Sequence, residues 1–201
     1  MHTANHYFAE QPKSKIRLGE VRINIKGKAF RFLTASGVFS KKRVDLGTCL
    51  LIESMVLPEE GYVLDIGCGY GAVGIAAANF KPKLRVMMVD VNERAVWLAN
   101  KNVEINQVSN VEVRKGFLYE PVTELKFNCI LSNPPVSAGM ATVKAIITEA
   151  PKQMLAKANF QMVVKSKIGG KRIQTIFEEA FGNVKVHARR SGYRILLAEK
   201  Q

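Results

Sequence analysis

Hydrophobic positions change their period along the chain. Near the front they alternate with polar ones: Val21, Ile23 and Ile25, then, past Lys26-Gly27, Ala29, Phe30 and Phe32. Alternation is the period of a strand, and Lys-Gly is a turn, so a small hairpin is predicted here. From Asp45 the spacing becomes helical through Leu46, Leu50, Leu51, Ser54 and Met55, with Asp45 or Thr48 as the cap and Pro58 as the stop. Beyond it, short runs at 62–66, 85–90, 111–114, 128–132 and 162–165 read as strands. Between them, 72–79, 93–102 and 144–158 read as helices. Strands regularly separated by helices predict βαβ units and a parallel sheet covered on both faces. At the end, 170–180 reads as a helix, and 184–188 and 193–198 as an antiparallel pair joined by Arg189-Arg190-Ser191-Gly192.

The 201 residues are 47% hydrophobic and 23% charged and show no repeat, low-complexity tract or linker, so one domain is expected. Its parts are a basic hairpin extension over 1–44 and an α/β core over 45–201. Lys plus Arg number 30 and Asp plus Glu 17, a net charge of +13. The excess is uneven: residues 1–43 hold ten basic side chains against Glu10 and Glu20, a local +8, and the other 158 residues carry only +5. That balance favours an extended anionic partner, nucleic acid first. Cys49, Cys68 and Cys129 fit neither a C-x-x-C metal pair nor a disulfide framework, so a reducing cytoplasmic compartment and no bound metal are expected. No apolar run reaches the roughly 18 residues of a bilayer span, and residues 1–13 lack a signal-peptide core; a soluble, unprocessed chain is expected.

Candidate chemistry begins at Val63-Leu64-Asp65-Ile66-Gly67-Cys68-Gly69-Tyr70-Gly71, where an apolar strand runs into a glycine cluster and then a helix rich in small residues. In a doubly wound sheet that turn lies at the carboxyl end of the strand, where ligands bind. Glycines let the backbone turn tightly and approach a ligand, and the next helix offers free N–H groups. Asp65 stands just before the glycines, where burying a carboxylate is costly without a cationic or hydrogen-bonding partner. Asp90 ends the next strand, where a carboxylate can accept both hydroxyls of a ribose; otherwise it caps the helix after it.

An acid before G-x-G-x-G resembles the first motif of the class I S-adenosylmethionine-dependent methyltransferases, not the G-x-G-x-x-G of nicotinamide dinucleotide sites. The resemblance implies that Asp65, Gly67, Gly69 and Gly71 line the methionine side of the cofactor and that Asp90, with Val91 beside it, holds the ribose. After the third strand the family often has an acid near the adenine; here Gly116-Phe117 stands instead, and Phe117 packs against the ring or in the core.

Ile130-Leu131-Ser132-Asn133-Pro134-Pro135-Val136 runs from an apolar strand into two prolines, which end ladder pairing and stiffen the backbone. Taken alone this is a turn. In its place at the fourth strand of such a sheet it resembles the Asn-Pro-Pro-aromatic motif of methyltransferases that act on planar amino nitrogens. An exocyclic amine is a poor nucleophile because its lone pair is delocalised. The Asn133 side-chain oxygen and the Pro134 carbonyl can accept its two N–H bonds, orient it and stabilise the charge that develops. Pro135 and Val136 follow as substrate contacts. Val136 stands where the family has an aromatic residue that stacks on a flipped base, so Phe39 is the candidate replacement and a ring nitrogen of guanine stays open as acceptor.

Residues 36–48, from Ser36-Gly37-Val38-Phe39 through Lys41-Lys42-Arg43 to Gly47-Thr48, and Ser191-Gly192-Tyr193-Arg194 complete the pattern. With the two motifs they are similar to the small-ribosomal-subunit RNA guanine-N2 methyltransferase family and its short archaeal-type relatives, from His6-Tyr7-Phe8 to Arg194. The resemblance implies a Rossmann-like doubly wound, seven-stranded, mostly parallel sheet behind the N-terminal basic hairpin. It implies methyl transfer from S-adenosylmethionine to a guanine, at N2 or N7, in tRNA or rRNA. It has the Gly-Val-Phe-Ser segment cover the site, bringing Phe39 to cofactor or base and Thr48 to the methionine end; the alternatives are core packing and a helix cap. Lys41, Lys42 and Arg43, with Lys165 and Lys167, can form a phosphate-binding rim, or a solvated face. Two other classes stay open: a protein glutamine N-methyltransferase, which has no need of a +8 arm, and a non-catalytic RNA-binding module on the same fold.

Overall fold

The alternating front segment forms the hairpin, β1 (Leu18–Ile25) and β2 (Lys28–Ala35), in a computed structural model that describes residues 15–38, 40, 43–135 and 139–201. The strands pair antiparallel from Ile25↔Lys28 to Leu18↔Ala35. Lys26 and Gly27 at the joint have φ of 51° and 75°, the left-handed pair whose twist suits a two-residue hairpin turn. Val21, Ile25, Phe30 and Phe32 are buried on one face, while Arg22, Lys26, Lys28 and Arg31 are exposed. Phe30 stacks on Phe32 and meets the edge of Phe80.

α1 (Leu46–Ser54) is capped by Asp45, whose carboxylate accepts from Gly47 N and Thr48 N; Thr48 is not the cap. The helix ends at Ser54, short of Pro58, because Met55 is already extended. The main sheet then builds from β3 (Gly61–Ile66), β4 (Leu84–Asp90), β5 (Val111–Lys115), β6 (Phe127–Ser132), β7 (Met154–Lys165), β8 (Lys185–Arg190) and β9 (Tyr193–Glu199). Its order is β5-β4-β3-β6-β7-β9-β8. β5 to β7 are parallel, and β9 runs against them, pairing antiparallel with both β7 and the edge strand β8, as expected for a mostly parallel Rossmann-like sheet of seven strands. β8 turns into β9 through Ser191-Gly192 alone, at φ 48° and 82°, so Arg189 and Arg190 belong to the strand and not to the joint.

α2 (Ala72–Phe80), α3 (Glu93–Ile105), α4 (Gly139–Gln153) and α5 (Gly170–Phe181) connect the strands. Val63, Met88, Cys129 and Leu131 face the layer of α1, α2, α3 and the hairpin, and Leu64, Ile66, Met87 and Ile130 face that of α4 and α5. Strands buried on both faces explain why their apolar runs read as continuous. The order reverses at β3: the chain goes out to β4 and β5, then returns to lay β6 on the other side of β3. The carboxyl ends of β3 and β6 therefore flank the point where sheets of this kind bind ligands.

One predicted element is corrected. The helix expected over 144–158 runs from Gly139 to Gln153, and residues 154–158 begin β7. Pro151 supplies no N–H for a further turn. Lys200 Nζ takes up the carbonyl oxygens of Pro151 and Met154, and Lys126 Nζ that of Lys152. Met154 and Ala158 are buried in the core, and pairing with β6 shifts register between Phe127 and Cys129.

The hairpin is outside the main sheet and is held by α3. Asn102 Oδ1 accepts from Leu33 N and its Nδ2 donates to Leu33 O, while Asn106 does the same for Arg31 N and O. Four residues of helix rise about 6 Å and two residues of strand about 6.8 Å, so amides at i and i+4 match alternate groups of a strand edge. Among the described residues no helix is long and apolar enough to cross a membrane.

Candidate active site

Past β3 the chain turns through Gly67, Gly69 and Gly71 at φ of 72°, 58° and 91°, all left-handed, and Gly71 opens α2. A Cβ placed on Gly67 or Gly69 would meet nothing within 4 Å, so the loop presents bare backbone to open space. Gly67 N and Cys68 N donate to Val89 O, which ties the loop to β4.

Asp65 lies beneath this loop, 1% exposed, with Oδ2 accepting from Gly74 N at 2.8 Å. Burial pushes its carboxyl up to about 7 against the lowering effect of that bond, and the charge of Asp90 adds to the rise. Asp90 accepts from Gly69 N through Oδ2 and from Asn92 N through Oδ1, each at 2.8 Å. Burial raises it to about 6, opposed by these backbone bonds. It does not cap α3: that is Asn92, which accepts from Arg94 N and Ala95 N. Two carboxylates held above their ordinary range suit a ligand that brings positive charge.

Asp65, Gly67, Gly69, Asp90, Asn133 and Pro135 line one cleft, which Val38 and Thr48 complete. The turn after β2 that leads to Val38 is fastened down by Asn92 Nδ2 on Gly37 O at 3.1 Å and by Arg94 on Ser36 O at 2.5 Å. Val91, Gly116 and Phe117 line a smaller adjoining cavity with Gly67 and Ile146. Phe117 is 45% exposed, which overturns core packing as its alternative role. Arg43, Lys165 and Lys167 are exposed and do not line the cleft. Lys165 Nζ lies 5.2 Å from the centre of the Tyr193 ring, a cation–π contact on its flank. Phe39, Lys41, Lys42 and Val136 fall outside the described residues.

Asn133, at the end of β6, is tied to the start of α1. Its Nδ2 donates to Thr48 Oγ1 at 2.8 Å and to Asp45 Oδ2 at 3.4 Å, leaving Oδ1 as the amide's remaining acceptor. Thr48 is thus bound to the Asn-Pro-Pro segment and is neither cap nor free. The Tyr193 hydroxyl donates to Asp45 Oδ1 at 3.0 Å. The sequence singles out Thr48, Asn133 and Tyr193 separately and Asp45 as a cap, but nothing in it marks the bonds that join them.

Bare backbone beside two acids, at the reversal of a doubly wound sheet, defines a site for a nucleotide-like cofactor that carries positive charge. The Methyltransferase small domain family matches residues 29–197, and the chain belongs to that family. The uncharacterized protein YbxB of Bacillus subtilis (strain 168) is 40% identical over 200 residues, 98% of this chain and 99% of that one. Ribosomal RNA small subunit methyltransferase C of Aeromonas hydrophila is 31% identical over 171 residues, which are 83% of this chain and 48% of the relative. Among solved structures, the T. thermophilus 16S rRNA N2 methyltransferase RsmC in complex with AdoMet and guanosine superposes with a TM-score of 0.82 at 27% identity, over 94% of this chain and 52% of that chain. The chain spans about half the length of the rRNA methyltransferases it matches.

Proposed function

We propose that this chain uses S-adenosylmethionine to methylate a guanine in structured RNA, with ribosomal RNA the first candidate and transfer RNA the second. The observation that carries this reading is the Asn133 amide, held by its nitrogen on Thr48 and Asp45 with its oxygen left over, beside a glycine cradle. When bound, the cofactor supplies an electrophilic methyl group on a positively charged sulfur. The open space over Gly67 and Gly69 and the raised carboxylates of Asp65 and Asp90 fit such a group. Asp65 and the glycine backbone take the methionine side, Asp90 and Val91 the ribose, and Phe117 the adenine side.

Asn133 Oδ1 and the Pro134 carbonyl accept the two N–H bonds of the acceptor amine. They hold its nitrogen toward the methyl group and stabilise the positive charge that grows on it, after which a proton leaves to solvent. A ring nitrogen such as N7 has no N–H to give these acceptors, which favours the exocyclic N2. The basic extension over 1–44 serves the RNA and the core over 45–201 the chemistry, in the cytoplasm. Relatives named for ribosomal RNA support the same reading.

The test is incubation of the purified protein with labelled S-adenosylmethionine and, separately, unmodified rRNA transcripts, tRNA transcripts and an RNase-treated protein extract. Digestion and mass spectrometry of the nucleosides should yield N2-methylguanosine. Label in the protein extract alone would replace this reading with that of a glutamine methylase. Asn133→Ala should lower kcat by about 100-fold or more and leave cofactor affinity within about threefold.

A further inference from the structure

We propose that Asp45 is a positioning residue for methyl transfer: its carboxylate dictates which way the Asn133 side-chain amide points. This rests on the reading of Asn133 Oδ1 as the acceptor for the substrate amine. Amide nitrogen and oxygen are nearly equal in size, so only their partners decide the orientation. A carboxylate can only accept, so the amide atom facing Asp45 Oδ2 at 3.4 Å is the nitrogen. Thr48 Oγ1 at 2.8 Å takes the same group. The flipped amide would set Oδ1 against a carboxylate oxygen and lose the Asp45 bond, whereas the Thr48 hydroxyl can donate as readily as accept, so the carboxylate alone decides the orientation.

Asp45 is itself immobilised. Gly47 N and Thr48 N donate to Oδ2 at 2.8 and 3.3 Å, and the Tyr193 hydroxyl donates to Oδ1 at 3.0 Å. Space around it is closed: a Cβ on Gly47 would come within 2.6 Å of Val163 Cγ1, 2.8 Å of Tyr193 Cδ1 and 2.9 Å of Asp45 Oδ2. The beginnings of α1 and β9 thus converge on one side chain at the end of β6. A helix cap alone needs no contact with Asn133 or Tyr193.

Three variants separate positioning from capping. Asp45→Ser keeps an oxygen that caps α1 but withdraws from Asn133 and Tyr193. Asp45→Asn keeps both the cap and an oxygen that reaches Nδ2. Asp45→Ser should melt close to the parent yet lose roughly tenfold to a hundredfold in kcat, with KM for RNA and the cofactor dissociation constant within about twofold. Asp45→Asn should recover most of the lost rate. Placed on Asn133→Ala, Asp45→Ser should change kcat by less than about twofold, since it acts through an amide no longer present. Full activity in Asp45→Ser, or the same loss in both backgrounds, would overturn the proposal. A second readout needs no turnover. In protein labelled with 15N-asparagine, the Asn133 side-chain NH2 signals, identified by their loss in Asn133→Ala, should exchange slowly and lose that protection in Asp45→Ser. Unchanged signals would defeat the lock even if RNA is methylated, and protected signals without methylated RNA would locate the failure in the substrate instead.

Discussion

Asp65 sits under the glycine loop with burial holding its carboxyl near 7, well above its ordinary 3.8. The fold therefore favours the neutral form. Its contribution to stability is fully present below about pH 4 and lost as pH rises through about 7. Asp65→Asn keeps an acceptor for Gly74 N–H and cannot ionise. Without cofactor, the stability of the variant relative to the parent should grow by on the order of 2 kcal/mol between pH 5 and pH 8, several degrees in Tm. Thermal melts at several pH values check this, and a difference that stays constant would mean Asp65 is ionised throughout. Asp65, Asp90 and Asn133 were legible in the sequence because each ends an apolar strand and so announces its own place on the sheet. Asp45 was legible only as a cap: its bonds to Asn133 and Tyr193 close across 88 and 148 residues, and no local pattern encodes such a meeting. Gln161 is similar, fully buried and bonded to Val56 N and O from inside a strand that reads as plain core.

At the scale of elements, the hairpin depends on the asparagines of α3. Asn102 is fully buried and bonds Leu33 N, Leu33 O and Tyr70 O, so replacing it strands three backbone groups at once. Asn102→Ala should cost about 3 kcal/mol, read as a lower urea midpoint with little change in slope, and β2 amides should lose protection from hydrogen exchange before the main sheet does. A cost below about 1 kcal/mol would mean that apolar packing of Phe30 and Phe32 carries the attachment instead. The hairpin and the order of strands and helices were readable from period alone. The boundary at Gln153 and Met154 was not, because the helix passes into the strand with no loop residue between them and Pro151 falls inside the helix's last turn. The docking of the hairpin was equally silent, since Asn102 and Asn106 read as an ordinary polar face until β2 is laid against them.

For the whole molecule, charge is the main lever. The net +13 is concentrated at the front, and Arg22, Lys26, Lys28 and Arg31 stand exposed on the hairpin. If about five phosphates are engaged, RNA affinity should fall by roughly two orders of magnitude between 50 and 200 mM salt. Lys26→Ala, Lys28→Ala and Arg31→Ala together should flatten that slope by about 2 or more and leave cofactor binding unchanged. Filter binding across a salt series measures both, and an unaltered slope would remove the hairpin from the RNA surface. One feature of the architecture reaches further than either ligand alone. α3 begins at Asn92, which bonds both Asp90 and Gly37, and further along it grips β2. A single rod therefore bonds at its start to the acid proposed for the cofactor and holds the arm's anchor further along. On the proposed function, stiffening either end lowers the ordering cost at the other, so cofactor and RNA should each raise the other's affinity by the same factor, and removal of the cofactor would also loosen the protein's hold on its RNA.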